Sequence, residues 1–151
     1  MAAITKIAVY EQCLKIVNEK LDTLQREFKL YSESAQNETK STAGDKHDTG
    51  KAMMQMEQEK LGKQMSELLQ QQKVLQQPQF KESYQTVQFG SLVHTTSGYY
   101  FIGISLGKFS LDNEIILCLS VQSPFAISML GLKAGSTFKF NNKDFQLQSV
   151  Q

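Results

Sequence analysis

Asp45 and Asp48 stand three residues apart in the polar stretch Ser41-Thr42-Ala43-Gly44-Asp45-Lys46-His47-Asp48-Thr49-Gly50, and of all the side chains in this sequence they are the best suited to chemistry. Carboxylates at that spacing can share one side of a turn or of a first helical turn. Their hard oxygens suit Mg²⁺, which keeps several waters and is often held by only one or two protein carboxylates. Two acids alone make a poor isolated metal site. The same residues also have a purely structural reading, because an acid at the start of a helix accepts from exposed N–H groups and offsets the helix dipole, typically by ~0.5 to 2 kcal/mol for a cap. His47, between the acids, is read as a solvated side chain with no catalytic role.

Little else in the sequence points to a free-standing active site. No nucleotide-binding loop, zinc-ligand quartet or nucleophilic triad is present, and with only His47 and His94 a histidine-rich metal centre is excluded. Cys13 and Cys118 lie far apart without a CxxC partner and no apolar signal segment is evident, so both are read as packing residues of a reducing cytoplasm. The net charge is +1 and Arg26 is the single arginine, which gives no support to a general basic surface for nucleic acid. A chain of 151 residues makes one or two small domains. No stretch approaches the ~18 to 20 consecutive apolar residues that span a bilayer, so a soluble protein with no membrane partner is expected.

The elements that must position the two acids are helical. Ile7, Leu14, Leu21, Phe28 and Ala35 recur every seven residues, and Tyr10, Val17, Leu24 and Tyr31 follow three later, a heptad seam uninterrupted by Gly or Pro. A second seam runs through Met54, Leu61, Met65, Leu68 and Leu75, with Gln and Glu at several intervening positions. The short connection predicts antiparallel neighbours, each arm on the order of 45 Å long at 1.5 Å per residue, with the acids at the tip. Met53, Met54 and Met56 are read as core filling beside that tip, and Gln70-Gln71-Gln72 as an exposed helix face. We therefore expect residues 1–78 to form an antiparallel coiled-coil hairpin with its tip at 41–50.

After Gln76-Gln77-Pro78-Gln79 the composition shifts to aromatic and β-branched residues punctuated by Gly. The runs at 91–95 and 99–104 flank Thr96-Ser97-Gly98 as a hairpin, the apolar run 115–121 reads as a central strand, and the last pair of strands, 136–140 and 145–150, brackets Asn141-Asn142-Lys143-Asp144. Ser123 as N-cap, Pro124 at the first helical position and Gly131 at the stop mark one short helix. Residues 79–151 are thus expected to form a small β domain of four or five antiparallel strands around that helix, and the fold class is α+β.

With these residues in view, the chain resembles the GreA/GreB transcript-cleavage factors. Gly44-Asp45-Lys46-His47-Asp48 is similar to the family's Gly-Asp-x-x-Glu tip. The run from Ser123-Pro124 to Gly131, with Lys133 and Gly135 following, is similar to its Ser-Pro-x-Ala-x-x-Leu-x-Gly-x-x-x-Gly signature. The resemblance implies an FKBP-like C-terminal domain that docks on the rim helices of bacterial RNA polymerase through Gln122, Ser123 and Pro124, and a coiled coil that enters the secondary channel. It further implies that Asp45 and Asp48 help hold a Mg²⁺ shared with the polymerase, none being bound tightly by the isolated protein, and so stimulate the polymerase's own cleavage of the backtracked RNA 3′ end. The protein would act as a cytoplasmic monomer and would not be an enzyme alone.

The chain also departs from the family. Thr49-Gly50-Lys51-Ala52 stands where the family usually has Asn-Ala-Glu-Tyr, and the second acid is Asp, one methylene shorter than Glu. Gly50 weakens a helix by ~1 kcal/mol relative to Ala. These differences imply the alternative of a channel-entering regulator that does not stimulate cleavage. A peptidyl-prolyl isomerase is suggested only by the implied topology, with no Trp and no evident aromatic proline pocket, and fold does not establish function. A coiled-coil assembly protein with heptads pairing between chains is the remaining reading.

Overall fold

The computed structural model describes the backbone of residues 3–39 and 44–151, and the side chains of residues 3–33 and 50–151. The chain divides into two compact units, Ile16–Gln72 on one hand and Met1–Lys15 together with Lys73–Gln151 on the other. Helix α1 spans Lys6–Thr39 and helix α2 spans Gly44–Leu75, so both long helices are present and the connection between them is short.

Within residues 16–72 the helices pair antiparallel. Gln58 Nε2 donates to Ser32 Oγ at 2.7 Å and Gln72 Nε2 donates to Asn18 Oδ1 at 2.8 Å, so a step back along α1 matches an equal step forward along α2. The expected seams are visible in burial: Val17 and Leu21 on α1 and Leu61 on α2 are buried, while Leu24, Phe28 and Tyr31 on α1 and Met54, Met65 and Leu68 on α2 are half-buried. Gln58 and Gln72 occupy positions of the second seam and each makes one cross-helix hydrogen bond, whereas the buried Oε1 of Gln71 has no partner.

Two seam expectations are corrected. Ile7 is 51% exposed, because the base of α1 buries a different stripe, Lys6, Val9, Tyr10 and Cys13. Met53 and Met56 are 63% and 69% exposed and do not fill a core, since they fall on the outer side of α2 while Met54 and Met65 face the seam. Ala35 has its side chain outside the described residues. The turn expected over 41–50 is also shorter on its second side, because α2 already begins at Gly44; residues 40–43 lie outside the described set.

The other unit is built on a six-stranded sheet: β1 Leu92–Thr95, β2 Gly98–Gly103, β3 Gly107–Leu111, β4 Glu114–Ser120, β5 Thr137–Phe140 and β6 Lys143–Val150, in the order β3-β4-β2-β1-β6-β5. The β1/β2 and β5/β6 hairpins stand where the sequence placed them. There is one strand more than expected, β3, and β2 pairs with β4 in parallel, so the sheet is mostly rather than wholly antiparallel. Two hairpins close through two-residue turns with positive φ at both positions, Asp112-Asn113 (51° and 65°) and Asn141-Asn142 (50° and 62°). Asn and Asp tolerate this left-handed region best among residues other than glycine, and the twist of such turns matches that of the strands.

Alternation along the strands gives the sheet two apolar faces. On one, the short helix α3, Pro124–Met129, buries Ala126 and Met129 against Val87, Val93, Ile102 and Leu147. On the other, Phe101 and Cys118 meet Phe80, carried by a 3₁₀ turn at Pro78–Lys81, and Cys13 from the base of α1. Phe80 is fully buried, with ring centroids 6.1 Å from Tyr10, 5.1 Å from Phe89 and 5.4 Å from Phe101. A Cβ at position 103 would lie 2.5 Å from the Phe80 ring, so only glycine fits there.

The first turn of α1 is tied down by polar contacts. The Lys6 N–H donates to Gln151 Oε1 at 3.0 Å, and Gln151 Nε2 donates to the Ile4 carbonyl at 3.0 Å. The Lys6 ammonium donates to the carbonyls of Gln79, at 2.9 Å, and of Glu82, and lies 4.6 Å from the centre of the Tyr84 ring. Among the described residues no helix is long and apolar enough to cross a membrane.

Candidate functional site

Asp45 and Asp48 are the second and fifth residues of α2, directly after the connection between the two long helices. A helix begins with N–H groups that lack intrahelical partners, which makes this end of α2 favourable for carboxylates. The backbone therefore brings the two acids into one helical turn; their side chains, with those of Lys46 and His47, lie outside the described residues, as does Lys40. Gly50 sits inside α2 rather than in a loop, and Lys51 beside it is half-buried. Among the described residues no group of three or more His, Cys, Asp or Glu side chains comes together as a metal site.

Gln122, Ser123 and Pro124 are brought together at the turn from β4 into α3. Ser123 is extended, with φ −66° and ψ 146°, and its Oγ accepts from the Ala126 N–H at 3.3 Å, the capping bond that the sequence suggested. Pro124 occupies the first turn, where its missing N–H is no loss. The Gln122 N–H donates to Ser120 Oγ at 3.1 Å, and the Gln122 side chain and the Pro124 ring are both exposed. Ser123 thus gives its hydroxyl to the helix, while Gln122 and Pro124 stay open to solvent.

The structure adds residues that the sequence reading passed over. Ile127 and Leu130 are 57% and 38% exposed, and they continue the exposed side of α3 from Pro124 at helical spacing, opposite Ala126 and Met129. The signal was legible: in a helix this short, apolar residues at 126, 127, 129 and 130 cannot all face one core. Five half-buried rings also gather on the α3 side of the sheet. Phe125 lies 4.7 Å from Tyr100, 5.6 Å from Phe138, 5.1 Å from Phe140 and 5.4 Å from Phe145. Phe125 meets Phe138, Phe140 and Phe145 edge to face, and Phe138 stacks on Phe145 at 5.2 Å. Beside Tyr100, a shallow open depression of about 420 Å³ is lined by Ser97, Lys108, Asn113, Glu114 and Leu117.

Among the described residues, burial and then the Glu82 carboxylate raise the Tyr84 phenol, and two further groups are perturbed. Burial pushes the Lys6 ammonium down to about 8, against the opposing pull of the Glu82 carboxylate. The Cys118 thiol is pushed up, first by its hydrogen bond with Cys13 and then by burial. Both groups belong to packed contacts and neither opens on a cleft.

The sequence matches no family model and no curated protein. Among solved structures, one of the transcription factor Gfh1 aligns over 95% of this chain and 93% of that chain, at 15% identity and a TM-score of 0.34. The two-helix hairpin and the sheet domain stand on the residues and contacts of the chain itself.

Proposed function

We propose that the protein is a transcription elongation factor that docks on RNA polymerase and inserts its helical hairpin into the secondary channel. The observation that carries this reading is that Gly44-Asp45-Lys46-His47-Asp48 are the opening residues of α2, at the closed end of two antiparallel helices of 34 and 32 residues. Helices of that length reach on the order of 50 Å. A pair of acids at the end of such a probe serves no purpose in a core and suits delivery into a deep site.

In this reading Asp45 and Asp48 supply carboxylate oxygens to a Mg²⁺ that the polymerase also holds. A Mg²⁺ held there by Asp45, Asp48 and the polymerase would supply Lewis-acid activation of a water for hydrolysis of the extruded RNA 3′ segment. The acids orient and hold; the bond cleavage belongs to the polymerase, so the protein is no enzyme alone. Gln122 and Pro124, with the exposed apolar side of α3, dock on the rim helices of the channel, while Ser123 fixes the helix that presents them. A bacterial, cytoplasmic, monomeric factor follows from this reading.

A second reading, a channel-entering regulator without cleavage, is favoured by Gly50 and Lys51 lying within α2 itself. Flexibility there loosens the turn that carries the acids, and catalytic geometry tolerates little misplacement.

Backtracked elongation complexes incubated with Mg²⁺ and either the native protein or the Asp45→Asn/Asp48→Asn variant separate these readings by RNA length. Shortening of the 3′ end by the native protein alone supports cleavage carried by the tip acids. Binding and slowed nucleotide addition by both proteins without shortening supports the regulator. Failure of both to bind polymerase overturns the proposal.

A further inference from the structure

Cys13 and Cys118 are the two cysteines of the chain, and the function proposed above uses neither. They come from elements distant in sequence, the base of α1 and strand β4, yet their sulfurs lie 3.5 Å apart in a hydrogen-bonded contact. Cys13 is fully buried and Cys118 is 2% exposed. Two thiols that merely fill space need not meet each other; these meet face to face at the point where α1 packs on the sheet.

We infer that Cys13 and Cys118 form a redox latch, in which a peroxide oxidises the pair to a disulfide that fixes the base of α1 to β4. The first thiol, as its thiolate, attacks one peroxide oxygen; the O–O bond breaks, and a sulfenic acid and one water result. The second thiol attacks the sulfenic sulfur, the S–O bond breaks and a second water leaves. Two thiols and one peroxide thus give one disulfide and two waters, with each sulfur losing one electron.

Burial decides when this happens. In the packed state the thiols are sealed from solvent, and the hydrogen bond between them together with burial keeps Cys118 protonated, so a peroxide finds no thiolate. Oxidation therefore requires local opening of the α1 base, which exposes Cys13 while the sheet stays formed. On reclosing, the partner thiol is already in place. The disulfide closes a loop that contains all of α2 and most of α1, a long constraint on the unfolded chain.

The test treats the folded full-length protein with hydrogen peroxide and follows intact mass, free thiols in denaturant and melting temperature. The expected result is a mass lower by two hydrogen atoms, a fall from two free thiols to none, no covalent dimer and one cross-linked peptide joining Cys13 to Cys118. The melting temperature should rise on the order of 10 °C and return with dithiothreitol. Sub-denaturing urea should accelerate the reaction, and Cys118→Ser should abolish the cross-link and the rise. The proposal is overturned if the folded protein keeps both thiols while urea-unfolded protein oxidises, if oxygen atoms are gained in place of a disulfide, or if the cross-linked protein melts below the reduced one. Peptide mapping of the unsubstituted protein decides the matter even if Cys118→Ser fails to fold.

Discussion

The ring of Phe80 takes the space that a side chain at position 103 would need. Gly103→Ala places a methyl 2.5 Å from that ring, which has no free side to move into, with Tyr10, Phe89 and Phe101 around it. Overpacking of this kind costs typically ~1 to 3 kcal/mol. Urea unfolding should show a loss in that range, and adding Phe80→Leu to Gly103→Ala should recover part of it. Lys6 makes a second residue-scale prediction. Burial brings its folded pKa to about 8, below the ordinary lysine value of 10.5, so between these values the unfolded chain binds a proton that the folded chain lacks. Stability should therefore rise as pH increases from about 8 towards 10.5, by on the order of 1 to 2 kcal/mol once solvent screening of the half-buried ammonium is allowed for, and this group should contribute no slope below that window, where both states carry the charge. Chemical denaturation at a series of pH values should show the rise, and Lys6→Met should remove it.

At the scale of elements, α3 depends on its cap. Ser123→Ala removes the oxygen that accepts from the Ala126 N–H and should cost ~1 kcal/mol in thermal or urea unfolding, with faster amide exchange at Ala126. This helix was legible in the sequence, because Ser-Pro at one end and Gly at the other are local signals, and Gly131 indeed adopts φ 81°. The long helices were legible for a related reason, a seven-residue repeat sustained over many turns. What escaped was non-local. Strand β3 is an edge strand whose Lys108 and Ser110 face solvent, so its composition resembles a loop, and only the Asp112-Asn113 turn marked it. The parallel pairing of β2 with β4 skips over β3 and leaves no trace in either strand. Ile7 continues the heptad as a letter in the sequence, but the base of α1 packs on the sheet as well as on the end of α2, where Tyr10 Oη donates to the Leu75 carbonyl at 2.7 Å, so the buried stripe rotates to Val9 and Cys13. Of the candidate site, the sequence supplied Asp45, Asp48, Gln122, Ser123 and Pro124; for Ile127 and Leu130 it held a signal that went unread, more apolar residues than one face of α3 can bury.

At the scale of the whole molecule, the sheet unit is assembled from both sides of the hairpin. Val9, Tyr10 and Cys13 cover the face that carries Phe80, Phe101 and Cys118, so a fragment of residues 79–151 lacks part of its own core. Such a fragment should bind a hydrophobic dye and show poorly dispersed amide resonances, whereas the full chain should do neither. A dispersed, dye-free spectrum from the fragment would contradict the packing described for the base of α1.

That interleaving also orders events on the ribosome. The helices of residues 16–72 pair through contacts that all lie within that segment, the Asn18–Gln72 bond spanning it, and can pair as soon as α2 emerges, on a timescale set by helix formation and docking. The sheet must wait for β6, which pairs with both β1 and β5, before its order is complete. During synthesis Phe101 and Cys118 are made well after Val9 and Cys13, and the early segment stays uncovered in the interval. A nascent-chain chaperone that takes up short apolar stretches would meet this protein first at residues 4–13, and would release it only when the last strand arrives.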